Sequence, residues 1–242
     1  MSTPAFEAES SEYQALLKAV ADELKLPLIY IARQAELARL TNIPKDRALA
    51  EVEQSAGAAL EFVDSYLLGL QLAESQQTLE LEPVSVASVV YDVAERLEPL
   101  AHQRKVRLNL ELGSPLGPVM AHRAGLGAAL LNMGASVIEA QTVSANDKPP
   151  IVTIAAYRDR SGVVAGLYAP GLQVSATELR AARQLQGIAR QPLKRFSAGP
   201  SAGIFVAQNI LEAMAGRLRA ARYHKQAGLA AVLIPSQQLR LV

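Results

Sequence analysis

Two apolar repeats near the start of the chain constrain its fold most. In residues 9–40 the spacing alternates between four and three residues, and the series is Leu17, Ala21, Leu24, Leu28, Ile31, Ala35 and Ala38. A second series in residues 46–76 is Leu49, Val52, Ala56, Ala59, Val63, Tyr66 and Leu70. Such spacing predicts a helix with one apolar seam. Pro44 lies between the two series and favours a turn there, so we expect a helical hairpin.

A single hairpin has too little self-contact to bury both seams. Two hairpins that pair as a four-helix bundle would bury both, which predicts a homodimer. The alternative is that both seams pack on the rest of the same chain.

The remainder of the chain alternates between strand and helix patterns. We expect helices at 85–103, 122–140, 175–187 and 202–215, and strands at 79–83, 104–112, 151–157, 162–168, 217–224 and 227–235. Helices on one face of a mixed sheet fit this order. The predicted fold is therefore α+β, with a dimerising hairpin in residues 1–78 and an α/β sandwich in residues 79–242.

Composition excludes several classes of function. The formal net charge is +1 and no long run of Lys or Arg occurs, so we do not expect a nucleic-acid partner. The absence of cysteine excludes disulfides, thiolate zinc sites and cysteine nucleophiles, and it fits a reducing cytoplasm. The three histidines are dispersed, so no metal site is predicted. Neither a signal peptide nor a membrane span is predicted.

One segment in the first helix resembles a known motif. Residues 21–28 read Ala-Asp-Glu-Leu-Lys-Leu-Pro-Leu and are similar to the H-box of sensor histidine kinases, which reads roughly Ser-His-Glu-Leu-Arg-Thr-Pro-Leu. Pro27 matches the proline that kinks the first bundle helix of that family.

The resemblance continues through the rest of the chain, in the family's order. The segment AHRAGLGAALLNMGASVIEA resembles the N-box helix, GLYAPGL lies where the first glycine box stands, and SAGPSAGIFVAQNILEAMAGRLRA resembles the second glycine box and its helix. LELEPVSV and AAVLIP match the first and last strands of the catalytic domain. The resemblance implies a Bergerat-type ATP-binding fold after the hairpin.

The H-box departs from the family at the reacting positions. Asp22 stands where the phosphoacceptor histidine is expected, and a carboxylate lacks the neutral nitrogen nucleophile of imidazole. Glu23 matches the acidic general base, which has no histidine to act on here. Leu26 replaces the Thr or Asn that the family uses in phosphatase action, and leucine cannot form hydrogen bonds.

The nucleotide boxes also depart from the pattern. Asn132 keeps the first asparagine of the N-box, but Ser136 falls at the magnesium-binding position and is a weaker ligand. Leu167 replaces the aspartate that would accept the adenine amino hydrogen. The turn glycine Gly171 is kept.

The second glycine box keeps Gly199 and Gly203. Pro200 lies between them and lacks the N–H that would hold phosphate.

These departures predict a catalytically inactive, dimeric adaptor or regulator in two-component signalling, without ATP or Mg²⁺ as cofactor. A response regulator or another histidine kinase is the expected partner. The docking candidates are Asp22, Lys25, Leu26, Tyr30 and Arg33. Two alternatives stay open, an ATP-binding signalling enzyme with unusual ligands and a phosphotransferase-like protein. The sequence shows no sensor or receiver segment, so we expect the signal to come from a partner or from a longer protein that contains this chain.

Overall fold

The computed structural model describes residues 24–25, 28–40, 45–74, 79–113, 116–141, 149–172, 174, 179 and 202–235. The chain divides into two compact units, Met1–Leu67 and Leu68–Val242. The domain boundary expected between residues 78 and 79 stays a prediction.

Two helices form the described part of the first unit. Helix α1 covers residues 28–40, and α2 runs from Lys45 to Glu74, so that its last turns belong to the second unit. The two helices are in contact, because the Tyr30 hydroxyl donates a hydrogen bond to Glu51 Oε2 at 3.0 Å.

The apolar repeats are only partly covered within this unit. Ile31 and Ala38 of the first repeat are half-buried, whereas Leu28 is 56% exposed. In α2, Tyr66 is buried and Leu49 is 65% exposed. A single partner helix covers one side of a seam, so part of each seam faces outward in the isolated protomer.

The second unit is a mixed α+β layer structure, as predicted. Its helices are α3 (Val86–Gln103), α4 (Arg123–Glu139) and α5 (Ala202–Ala213). Its strands are β1 (Glu82–Val84), β2 (Arg107–Leu112), β3 (Val119–Ala121), β4 (Ile151–Asp159), β5 (Gly162–Ala169), β6 (Arg217–Tyr223) and β7 (Gln226–Leu233).

Five of these strands form the main sheet, in the order β2-β4-β5-β7-β6. Only β2 and β4 pair in parallel; β4–β5, β5–β7 and β7–β6 are antiparallel. Helix α4 packs against α3, α5 and the central strand β5. The hydrophobic core lies between this helical layer and the sheet, and α4 is buried along almost its whole length.

Polar side chains cap the N-termini of two helices. Ser85 precedes α3, and its hydroxyl accepts a hydrogen bond from the Ser88 amide at 3.4 Å, which confirms the predicted cap. His122 precedes α4, and its Nδ1 accepts from the Gly125 amide at 3.0 Å. An imidazole thus replaces the usual hydroxyl or carboxylate at the start of the N-box helix.

Several predicted boundaries differ from the structure. Strand β2 begins at Arg107 rather than at residue 104, because Arg104 and Lys105 form a turn in which Lys105 has a φ of 55°. Strand β1 is Glu82–Val84 rather than 79–83 and pairs with β3 in a separate two-stranded sheet. Strand β3 was not predicted, since three residues beside a Gly/Pro-rich segment give no periodicity.

The expected helix at 175–187 lies outside the described residues except for Leu179. Within the described residues, no helix combines the length and apolarity that a membrane crossing requires.

Candidate functional site

The H-box positions lie almost entirely outside the described residues. Asp22, Glu23, Leu26 and Pro27 cannot be placed, and neither can Gly199 of the second glycine box. What was expected of these residues therefore stays a prediction. The other candidate residues can be examined.

The two N-box candidates lie on one face of α4 and are buried. Asn132 is 1% exposed and Ser136 is 4% exposed. Both use hydrogen-bonding atoms within their own helix: Asn132 Nδ2 donates to the Ala128 carbonyl at 2.8 Å, and Ser136 Oγ donates to the Asn132 carbonyl at 2.9 Å. The serine hydroxyl proton is therefore directed back along the helix, the arrangement that serine often adopts in a helix interior.

Gly203, at the start of α5, packs directly against these two residues. A methyl group at Gly203 would lie 3.3 Å from Asn132 Oδ1 and 3.3 Å from Ser136 Oγ. The structure thus brings one residue of the second glycine box next to both residues of the N-box. Glycine permits this close approach of α5 to α4, and the polar atoms lie in the contact between the two helices.

Leu167 lies on another side of α4. It is fully buried in β5, and its Cδ2 would be 3.0 Å from a methyl group at Gly134. Gly134 is two residues after Asn132, about 200° around the helix, so Leu167 does not face the Asn132–Ser136 side. At the position expected to recognise adenine, the side chain belongs to the core.

Gly171 serves a turn after β5. Its φ is +74°, its position is exposed, and a Cβ there would meet no atom within 4 Å. Pro170 followed by glycine at positive φ is typical of a type II turn. Nothing in the described structure connects Gly171 to Asn132, Ser136 or Gly203.

The docking candidates on α1 differ from one another. Lys25 and Arg33 are exposed, whereas Tyr30 is half-buried. Burial and the hydrogen bond to Glu51 raise the pKa of the Tyr30 hydroxyl. Tyr30 therefore connects α1 to α2, while Lys25, which precedes α1, and Arg33 are exposed to solvent.

Sequence reasoning missed a buried carboxyl at the end of α4. Glu139 lies 3.5 Å from Arg104, with 12% of its side chain exposed. Burial raises its pKa to about 7, although Arg104 acts in the opposite direction. A glutamate in the last turn of a helix also faces the negative end of the helix dipole. A run of apolar residues that ends in glutamate was the available signal.

A second missed feature is a group of three tyrosines on the sheet, called here the tyrosine face: Tyr157, Tyr168 and Tyr223. The rings of Tyr157 and Tyr223 stack with centroids 5.2 Å apart, and Tyr168 lies 5.3 Å from Tyr223. The Tyr157 and Tyr168 hydroxyls are 3.3 Å apart. Burial raises the pKa of Tyr168.

The chemical capacity of the described site is small. Within the described ranges, no three His, Cys, Asp or Glu side chains are grouped so that they could hold a metal ion. The residues that meet at the α4–α5 contact offer a buried amide, a hydroxyl and a glycine. These groups lie in a helix–helix contact.

No protein-family model and no curated protein matches the chain. Solved structures do. A histidine kinase of Acinetobacter baumannii, AdeS, aligns over 89% of this chain and 98% of its own, with a TM-score of 0.52 and 15% identity. ShkA, whose full-length structure contains AMPPNP, aligns over 92% of this chain with a TM-score of 0.53 and 20% identity, but this chain covers only 46% of ShkA.

A structure described as a bacterial phosphotransferase aligns over 96% of this chain and 98% of its own, with a TM-score of 0.50 and 12% identity. At these identities the likeness concerns the fold. With AdeS it spans most of both chains. The chain has the mixed α+β fold of a sensor histidine kinase core.

Proposed function

We propose that this chain is a catalytically inactive, histidine-kinase-like adaptor or regulator in two-component signalling that acts by protein–protein docking. The observation that carries the proposal is the burial of Asn132 and Ser136 in the α4–α5 contact. A residue that binds Mg²⁺ beside a triphosphate must present its oxygen to solvent or ligand. Here both side chains are buried between the helices, and the Ser136 hydroxyl, which stands at the magnesium-binding position, donates its hydrogen bond within α4.

The replacement at the adenine position supports the same conclusion. Leu167 is a core residue of β5, and a leucine cannot accept the amino hydrogen of adenine. A nucleotide base in that place would leave its own polar atoms unpaired, at a cost of about 1–3 kcal/mol each.

The first unit supports the docking and dimer parts of the proposal. Among the described residues, ten large hydrophobic side chains are exposed, and six of these lie on α1 and α2: Leu28, Ile29, Leu40, Leu49, Leu60 and Leu67. Such a concentration marks an interaction surface. A second copy that pairs its own α1 and α2 would cover part of it as a four-helix bundle, and the homodimer follows from that pairing.

A response regulator or another histidine kinase is the proposed partner. Lys25, which precedes α1, and Arg33 on α1 are exposed, and so is the apolar Ile29 of α1. Cationic ends around an apolar centre are a common composition for a protein-binding surface. Localisation in the cytoplasm, where such partners act, is part of the proposal.

The structural likeness to a bacterial phosphotransferase favours one second candidate, a phosphotransferase-like role. A phosphotransferase of this type needs a histidine on its bundle. Residues 1–78 contain no histidine, so Asp22 would have to carry the phosphoryl group. This candidate therefore requires a different acceptor chemistry.

One phosphorylation assay can test the phosphoacceptor position and the nucleotide site separately. The wild-type chain and the variant Asp22→His are incubated with Mg²⁺ and γ-labelled ATP. We expect no label on either protein, because the variant restores an acceptor but leaves Ser136 and Leu167 unchanged. Label on Asp22→His alone would show a working nucleotide site and would refute the proposal. Label on the wild type would favour an enzyme.

A further inference from the structure

Four arginines meet at one end of the main sheet. Arg158 and Arg160 flank Asp159 at the β4–β5 turn, and Arg217 and Arg219 lie in β6, the edge strand. The turn and the edge strand are brought together by an ion pair, since Arg219 Nη2 lies 2.6 Å from Asp159 Oδ2. Alternation along β4 places Arg158 on the opposite side of the sheet from Asp159, so we call the other three, Arg160, Arg217 and Arg219, the arginine corner.

The turn holds Arg219 in one orientation. Arg219 Nη1 donates to Ser161 Oγ at 3.2 Å, while the Ser161 amide and hydroxyl donate to Asp159 Oδ1 at 2.7 and 2.6 Å. The Ser161 hydroxyl and the Arg219 guanidinium together keep the pKa of Asp159 below its usual range. Asp159 is therefore ionised at neutral pH, and its carboxylate forms an ion pair with Arg219.

The other two guanidinium groups are not neutralised by the described residues. Arg160 and Arg217 are exposed, and neither has an ion pair within the described part of the chain. Residues 68–242 carry eighteen Lys or Arg and twelve Asp or Glu. The corner is thus a local cationic surface on the more basic of the two units.

The corner adjoins the tyrosine face. Alternation along β6 places Arg217, Arg219 and Tyr223 on one side of the sheet. On that side Tyr157 and Tyr223 pack over a cluster of buried residues, Ala155, Val164, Tyr168 and Ala230. Tyrosine and arginine are residue types that contribute strongly to protein interfaces.

The geometry points to a second docking surface, formed by the arginine corner and the adjoining tyrosine face, for an acidic segment of a partner protein. Charge complementarity selects this occupant, because the two exposed guanidinium groups of Arg160 and Arg217 favour carboxylates opposite them. Nucleic acid fits less well, since single-stranded binding uses open aromatic faces, whereas the rings of Tyr157 and Tyr223 stack on each other. This surface belongs to the second unit and does not depend on the function proposed for α1 and α2.

The test is fluorescence anisotropy with the full chain and a labelled peptide of alternating Glu and Tyr. The charge-reversed variant Arg160→Glu/Arg217→Glu is compared with Arg222→Glu. Arg222 is exposed on the same strand, but alternation places it on the opposite side of the sheet, so it is a matched control. Arg160→Gln, a change in an exposed turn that leaves the fold intact, repeats the test without reversal of charge.

We expect saturable binding that Arg160→Glu/Arg217→Glu weakens about tenfold at low salt, that Arg160→Gln weakens by a smaller factor, and that Arg222→Glu leaves within about twofold. Equal losses in Arg222→Glu and in the double variant would overturn the inference, because general charge would then explain binding. Absence of peptide binding, or tighter binding of single-stranded DNA or of phosphatidylserine vesicles through the same arginines, would also overturn it.

Discussion

At the scale of single residues, Glu139 carries a clear energetic consequence. Its carboxyl is buried at the end of α4 and has a pKa of about 7, against a usual value of 4.5. The folded chain therefore keeps this proton between pH 4.5 and about 7, where the unfolded chain has lost it. Because the folded state binds more protons in that interval, the contribution of Glu139 to stability falls as the pH rises.

Glu139→Gln should remove this pH dependence. The neutral amide has no proton to lose, so between pH 5 and 8 the variant should lose less stability than the wild type, by on the order of 2–3 kcal/mol. Urea unfolding at several pH values measures the difference. The exposed Glu98→Gln serves as control, and identical pH slopes for wild type and Glu139→Gln would disprove the assignment.

The cap formed by His122 gives a second residue-scale prediction. Its Nδ1 accepts the Gly125 amide, so His122→Ala leaves a helix-terminal donor unpaired and should cost about 1 kcal/mol. His122→Asn offers a side-chain oxygen at the same place and should retain most of that stability. Urea titration of the two variants and the wild type measures their free energies of unfolding. An equal loss of stability in both variants would exclude a capping role.

At the scale of helices, two glycines in similar sequence settings should respond in opposite directions. A Cβ at Gly57 of α2 would meet no atom within 4 Å, whereas one at Gly134 of α4 would collide with Leu97 and approach Leu167 Cδ2 to 3.0 Å. Gly57→Ala should therefore stabilise by about 0.5–1 kcal/mol through helix propensity. Gly134→Ala should destabilise by about 1–3 kcal/mol through overpacking.

The same unfolding measurement tests both glycines. Addition of Leu97→Ala to Gly134→Ala should recover part of the loss relative to the sum of the single changes, since the added methyl group then has space. Stabilisation by Gly134→Ala alone would show that α4 does not pack as closely on α3 and β5 as the structure indicates.

Elements with strong periodicity could be predicted from the sequence, and short or turn-bounded ones could not. The 18-residue helix α3, with its Ser85 cap, was predicted within a residue at its start. Strand β3 has only three residues and was not predicted. The predicted start of β2 was three residues too early because Lys105 adopts a positive φ in the turn before the strand. Local pattern does not reveal a turn conformation that tertiary contacts impose.

The candidate site shows the same division. Of the residues that the box pattern assigned to one degenerate nucleotide site, Asn132, Ser136 and Gly203 lie in the contact between α4 and α5, whereas Leu167 and Gly171 do not. The back-directed hydrogen bonds of Asn132 and Ser136 were not predictable, since a polar residue on a helix can face either a ligand or its own backbone. Tyr157 lies in β4 and Tyr223 in β6, which are far apart in the sequence. Local sequence patterns therefore could not predict the tyrosine face.

At the scale of the whole molecule, the exposed leucines of the first unit predict self-association. Sedimentation equilibrium of the wild type should give twice the chain mass of 25.8 kDa. Leu60→Asp, a change at a side chain that is 65% exposed in the protomer, should shift the equilibrium strongly to monomer, since burial of one leucine contributes about 1.5–3 kcal/mol.

The control for self-association is Ile234→Asp, an equivalent change at an exposed residue of the second unit. It should leave the mass of the wild-type dimer unchanged. A monomeric wild type would favour the alternative in which the seams pack within a single chain.

We propose that this histidine kinase fold does not bind nucleotide. The most direct measurement is isothermal titration of the full chain with Mg²⁺ and AMPPNP, beside ShkA, which has been solved with that nucleotide. We expect binding to ShkA and neither heat of binding nor thermal stabilisation for this chain at millimolar AMPPNP. Saturable binding to this chain, weakened by Ser136→Ala, would contradict the account.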